Sequence, residues 1–216
     1  MTEQTNESVS VPIAQIPTVI EFVLDETSSM SIHLQSTIDG YNDYLDEQRQ
    51  GNGLCLLTLT KFNNYSNTTP YVDIDINLVP ALTKNTFLPT SMTNLFDTIV
   101  NRIDDLWKRL SEWEEQPKVL FVVMTDGEDN TSKKKIEDVF HHICIATKHG
   151  WTCVYLGANQ NALNIATKLG FSEGNIKSFE TTKMRETMQE ISRATTAFRA
   201  GITSPNDFFS NSLTAA

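Results

Sequence analysis

From Lys118 to Met124 the chain reads Lys-Val-Leu-Phe-Val-Val-Met, apolar at every position after the lysine. A strand with no polar position to turn to water needs cover on both faces. That is the situation of a central strand in a parallel sheet flanked by helices. Residues 18–25 repeat the pattern, interrupted only by Glu21. Each run delivers an aspartate to a turn, Asp25 or Asp126, and each turn precedes a helix-periodic stretch.

The rest of the chain alternates in the same way. Leu34, Ile38, Tyr41 and Leu45 mark one helical face between Ser31 and about Gln48, stopped by Gly51-Asn52-Gly53. Leu54 to Phe62 reads as a strand, Asn63 to Thr69 as a hairpin loop, and Tyr71 to Ile76 as a short edge strand. Leu78 to Ser91, with Pro80 and Pro89, is irregular. Leu95, Ile99, Ile103, Leu106, Leu110 and Trp113 define an amphipathic helix ended by Pro117.

A helix with Ile136, Val139, Phe140, Ile143 and Ala146 on one face follows the second aspartate turn. Then come a strand over Trp151–Leu156, a helix over Ala158–Leu169 closed by Gly170, a weak strand near Ile176–Phe179, and a helix from about Thr182 to Phe198. Strands alternating with helices predict an α/β fold: a mostly parallel sheet with one antiparallel edge strand and helices on both faces. We expect a leader over 1–16, one domain over 17–200, and a polar tail over 201–216 in which Phe208 and Phe209 are weakly docked or loose.

Composition narrows the function classes. A chain of 216 residues is long enough for a substantial core. Its formal net charge of −10 repels phosphate backbones, which argues against nucleic acid as a partner. The apolar runs are strand-length, so no membrane span is expected, and Met1 to Ser10 lacks the pattern of a signal peptide. The expected location is the cytoplasm, which for a phage-encoded chain is the host cytoplasm. Cys55, Cys144 and Cys153 form no CxxC pair and read as core thiols.

Ligands in such sheets sit at the carboxyl ends of the strands, where strand order reverses. Three stretches should meet there: Asp25-x-Thr27-x-Ser29, Thr93 ahead of a helix, and Asp126 after the most buried strand. Together they offer two carboxylates and three hydroxyls, an oxygen set suited to a hard divalent cation. Mg2+ is favoured and Mn2+ also fits. If one aspartate acts through water, the ion keeps positive character and an open position. Taken alone, Asp25 is equally a helix cap and Asp126 a common turn residue.

Asp25, Thr27, Ser29, Thr93 and Asp126 together resemble the von Willebrand factor A domain family. Its motif is Asp-x-Ser-x-Ser after the first strand, a distant Thr, and an Asp in a Thr-Asp-Gly turn. The resemblance runs from about Thr18 to Phe198. It implies a three-layer Rossmann-like fold with a metal-ion-dependent adhesion site that captures an acidic residue, Asp or Glu, of a protein partner. Residues 93–99, 155–160 and 199–201 resemble the short stand-alone A domains of phages and bacteria. Two positions depart from the motif: Thr27 stands where Ser is usual, and Ser28 where Gly is usual.

The expected function is therefore a metal-dependent protein-binding module, not an enzyme. Two rival readings remain. One is a metal-dependent phosphoester hydrolase using Glu128 or Asp129 to activate water. The other is a structural or assembly protein with a vestigial metal site. Glu26, Glu128 and Asp129 read as solvated loop charges, and His33, His141, His142 and His149 as surface or boundary residues. Lys133-Lys134-Lys135 reads as the solvated start of a helix.

Overall fold

In the computed structural model, residues 16–158, 161–180 and 183–210 are described. The expected leader, apart from Ile16, lies outside them. Six strands form one sheet: β1 (Thr18–Asp25), β2 (Cys55–Phe62), β3 (Asn67–Asp75), β4 (Lys118–Thr125), β5 (Thr152–Gly157) and β6 (Ile176–Ser178). Their order is β3-β2-β1-β4-β5-β6. Only β2 and β3 pair antiparallel, and every other neighbouring pair is parallel. From β1 the chain builds outward to β2 and β3; from β4 it builds the other way. Strand order therefore reverses between β1 and β4, whose carboxyl ends carry Asp25 and Asp126.

Among the described residues, five α-helices cover the sheet: α1 (Leu34–Arg49), α2 (Leu95–Leu110), α3 (Ile136–Lys148), α4 (Ala162–Lys168) and α5 (Met184–Arg199). Alternation along β1 sends Ile20, Phe22 and Leu24 into a core with α1 and α5. Val19 and Val23 enter a second core with α2, α3 and α4. All eight residues of β1 are buried, Glu21 included, as a strand covered on both faces requires.

Several boundaries differ from expectation, each for a local reason. α1 begins at Leu34 because a 3-10 turn, Ser28–His33, intervenes; the Ser28 N–H donates to Ser91 O at 3.0 Å and the Met30 N–H to Thr27 O at 3.0 Å. β3 starts at Asn67, earlier than expected, because Asn63 Oδ1 accepts from the Tyr65 and Ser66 N–H groups and closes the hairpin tightly. α4 begins at Ala162; the Ala158 N–H instead donates to Thr125 O at 3.1 Å.

Of the expected tail only 201–210 is described, and that part is tighter than expected. Phe208 is fully buried in the α1–α5 core, and its N–H donates to Asn175 Oδ1 at 2.8 Å. Phe209 packs edge-on against it, with ring centroids 5.0 Å apart. All three thiols are free; Cys55 and Cys153 are buried as expected, but Cys144, also expected in the core, is half-buried.

Candidate metal centre

Asp25 ends β1 opposite Phe62 and is fully buried. Its Oδ1 accepts the Thr27 N–H at 2.8 Å, and its Oδ2 accepts the Thr125 hydroxyl at 2.6 Å. These donors are neutral. Burial therefore dominates and pushes the Asp25 carboxyl up to about 6; the Thr125 and Thr27 hydrogen bonds oppose it and nearby Asp126 adds to it. Burial also raises Asp126, against a hydrogen bond from Ser29 and the proximity of His33.

The hydroxyls link the two carboxylates. Thr27 Oγ1 and Ser29 Oγ are 3.1 Å apart, and the Ser29 hydroxyl donates to Asp126 Oδ1 at 2.6 Å. Thr93 arrives from a distant loop that two backbone contacts stitch to β1's end. The Thr90 N–H donates to Glu26 O at 2.9 Å, and Ser28 binds Ser91 as described above. On its other side, Thr93 O accepts the Asn130 and Thr131 N–H groups at 3.0 and 3.1 Å. Its own N–H donates to Asn130 Oδ1 at 3.0 Å.

Gly127 fixes how near the third stretch lies. A Cβ at Gly127 would stand 3.3 Å from Thr93 Oγ1 and 3.8 Å from Ser29 Oγ. The glycine of the Thr-Asp-Gly turn thus leaves space between those two hydroxyls. All five predicted residues reach one patch of the carboxyl edge. The donor set fits a hard divalent ion: two burial-raised carboxylates, three hydroxyls, and no cationic side chain hydrogen-bonded to either carboxylate among the described residues. No cluster of three His, Cys, Asp or Glu side chains suited to a metal occurs among the described residues, so hydroxyl oxygens are integral to any such site.

The neighbours differ from the sequence reading. Glu26 is buried rather than solvated: its Oε1 accepts Lys61 Nζ at 2.8 Å and the Leu88 N–H at 2.7 Å, tying the irregular loop to β1 and β2. Asp129 Oδ1 accepts the Phe96 N–H at 3.1 Å at the start of α2. Glu128 is exposed, and so are Lys133, Lys134 and Lys135. His33 is 3% exposed, not a surface residue, and its Nε2 stands 3.8 Å from Asp126 Oδ2. Its position four residues after Ser29, one turn along, was the available signal. Thr125 was also missed; a hydroxyl ending a buried strand beside an aspartate was its only mark.

No protein-family model matches the sequence, and no curated protein does. Solved structures do match. A von Willebrand factor type A structure from Catenulispora acidiphila superposes with a TM-score of 0.54 at 10% identity, over 82% of this chain and 42% of that one. The chain has the von Willebrand factor A fold.

Two other matches of that fold carry metals. The proximal thread matrix protein 1 from the mussel byssus, with a zinc-occupied MIDAS motif, matches at TM-score 0.59 and 16% identity, over 85% of this chain and 46% of that one. The manganese-loaded TRAP protein of Plasmodium vivax matches at 0.52 and 11%, over 81% and 72%. The chain spans less than half the length of the mussel and Catenulispora proteins. No helix among the described residues is long and apolar enough to cross a membrane.

Proposed function

We propose that the chain is a divalent-cation-dependent protein-binding module. Asp25, Thr27, Ser29, Thr93 and Asp126 hold the ion, with Mg2+ or Mn2+ suited to the oxygen set. The partner presents an Asp or Glu carboxylate. The observation that carries the reading is the pair of aspartates at the sheet's switch point, Asp25 buried and Asp126 half-buried, joined through hydroxyls and answered only by neutral hydrogen-bond donors. A bound divalent ion supplies positive charge and an open position for a carboxylate from outside.

The chain's own residues set up that capture. Ser29 donates to Asp126, so part of that carboxylate's charge is spent inside the protein. Gly127 keeps space beside Thr93 and Ser29. The loops that frame the site also expose apolar side chains: Ile32 just after Ser29, Met92 just before Thr93, Tyr65 and Leu88. Tyr65 follows Asn64, whose N–H donates to Met92 O at 2.9 Å, and the Leu88 N–H donates to Glu26. A cleft of about 490 Å³ lies alongside, lined in part by Glu26, Lys61, Tyr71, Pro80 and Leu88. A charged centre within an apolar surround suits a protein surface.

The acids that a hydrolase would use on water are less well placed. Asp129 is committed to the start of α2, and Glu128 points to solvent. A pull-down from the native source, with and without chelator and with Asp25→Ala, tests the proposal. The expected result is a partner retained only by the wild-type chain with its ion. The same partners in all three conditions would overturn it.

A further inference from the structure

His33 is the buried titratable group beside the site that the five-residue set leaves unused. Its backbone is fixed: it precedes α1, and its carbonyl accepts the Ser36 hydroxyl at 3.0 Å. Its ring stands edge-on to the buried Phe179 ring, with centroids 6.4 Å apart at 83°. Phe179 is itself pinned by its N–H to Gly157 O at 2.9 Å. The imidazole is thus held in place from the sheet side.

Two observations set it apart from an ordinary core histidine. Nδ1 has no hydrogen-bond partner among the described residues, although such buried atoms are normally satisfied. Nε2 faces Asp126 Oδ2 at 3.8 Å, beyond the length of a hydrogen bond. Two ligands of one ion, each bound at about 2.1 Å, stand roughly 3.0 to 4.2 Å apart. The observed spacing falls inside that range. Ser29 takes Asp126 Oδ1, so the oxygen facing His33 is the other one.

We infer that His33 Nε2 joins Asp126 Oδ2 and the hydroxyls as a direct donor to the ion, with Asp25 acting through water, and that it sets which ion the site prefers. The inference rests on the metal reading above and changes its order of ions. Mg2+ demands oxygen ligands and gains little from imidazole, whereas Zn2+ binds it well. The site therefore favours a borderline ion over magnesium, and His33 is its specificity-determining residue.

The test titrates the full chain calorimetrically with Mg2+, Mn2+ and Zn2+, as wild type and as His33→Gln. In parallel, imidazole 15N shifts of the wild-type chain are followed as Zn2+ is added. The expected result is a fall of at least tenfold in zinc affinity on substitution, with magnesium affinity changed less than threefold. The His33 Nε2 resonance should move at one equivalent of zinc.

An unchanged ratio of zinc to magnesium affinity, with a stationary His33 resonance, overturns the inference while leaving the metal site standing. Failure of the wild-type chain to bind any of the three ions overturns both. The resonance is read on the wild type, so a variant that does not fold leaves a decisive measurement in place.

Discussion

Two carboxylates on β1, four residues apart on the same face of the strand, meet opposite fates. Glu21 and Asp25 are both fully buried. Glu21 lies mid-strand beneath α2 and is answered by cations: Arg109 contacts it directly, and Arg102 stands 4.0 Å away. Arg109 also reaches Asp73 on β3, so the cluster ties α2 to the far edge of the sheet. Asp25 lies at the strand end and is answered by one N–H and one hydroxyl. A buried carboxylate with its counter-charge built in is a structural clasp. One held by neutral donors at the strand end is, in the proposed reading, left to a cation from outside.

Breaking the clasp should have the largest effect on folding. Arg109→Ala leaves Glu21 buried without its main partner and should cost about 3 to 5 kcal/mol, read by urea unfolding. A loss under about 1 kcal/mol would mean that the two carboxylates are not different in kind. The counterpart is Asp25→Asn, which removes a charge that has no built-in partner. The ion-free protein should change by no more than about 1 kcal/mol. The wild-type chain should gain melting temperature on adding Mg2+ or Mn2+, and the variant should not.

The pH dependence sharpens the contrast. Burial raises Glu21 from an ordinary 4.5 to about 7, with the arginines opposing, and Asp25 from 3.8 to about 6. Both groups hold protons more tightly folded than unfolded. Their contribution to stability is therefore full below pH about 4 and is lost as pH rises toward about 7. Saturating divalent ion should remove the Asp25 part of that slope and leave the Glu21 part. Denaturant melts across pH, with and without ion, separate the two.

The smallest expected effect on folding is Gly127→Ala. The new methyl would stand 3.3 Å from Thr93 Oγ1, so the hydroxyl must give way by a few tenths of an ångström. We expect under about 1 kcal/mol of stability change and roughly a tenfold loss of ion affinity by titration calorimetry.

Much of this was legible in the residues, and the rest was hidden for identifiable reasons. The nearly continuous apolar runs of β1 and β4 announced central strands, and the spacing in α2 announced its buried face. Asp25, Thr27, Ser29, Thr93 and Asp126 could be named because strand ends and helix starts are readable locally. Glu21 is one polar letter in an apolar run, and its partner Arg109 lies far along the chain on another element. His33 is marked only by its spacing from Ser29; the 3-10 turn and Phe179 place it where it is. Phe208 lies in a polar stretch, and its docking depends on Asn175, beyond the reach of any periodicity.

The most direct test of the central claim is anomalous diffraction from crystals grown with Mn2+. The account predicts one manganese peak among the oxygens of Asp25, Thr27, Ser29, Thr93 and Asp126. Crystals that show manganese only elsewhere, or none at all at saturating concentration, would contradict it.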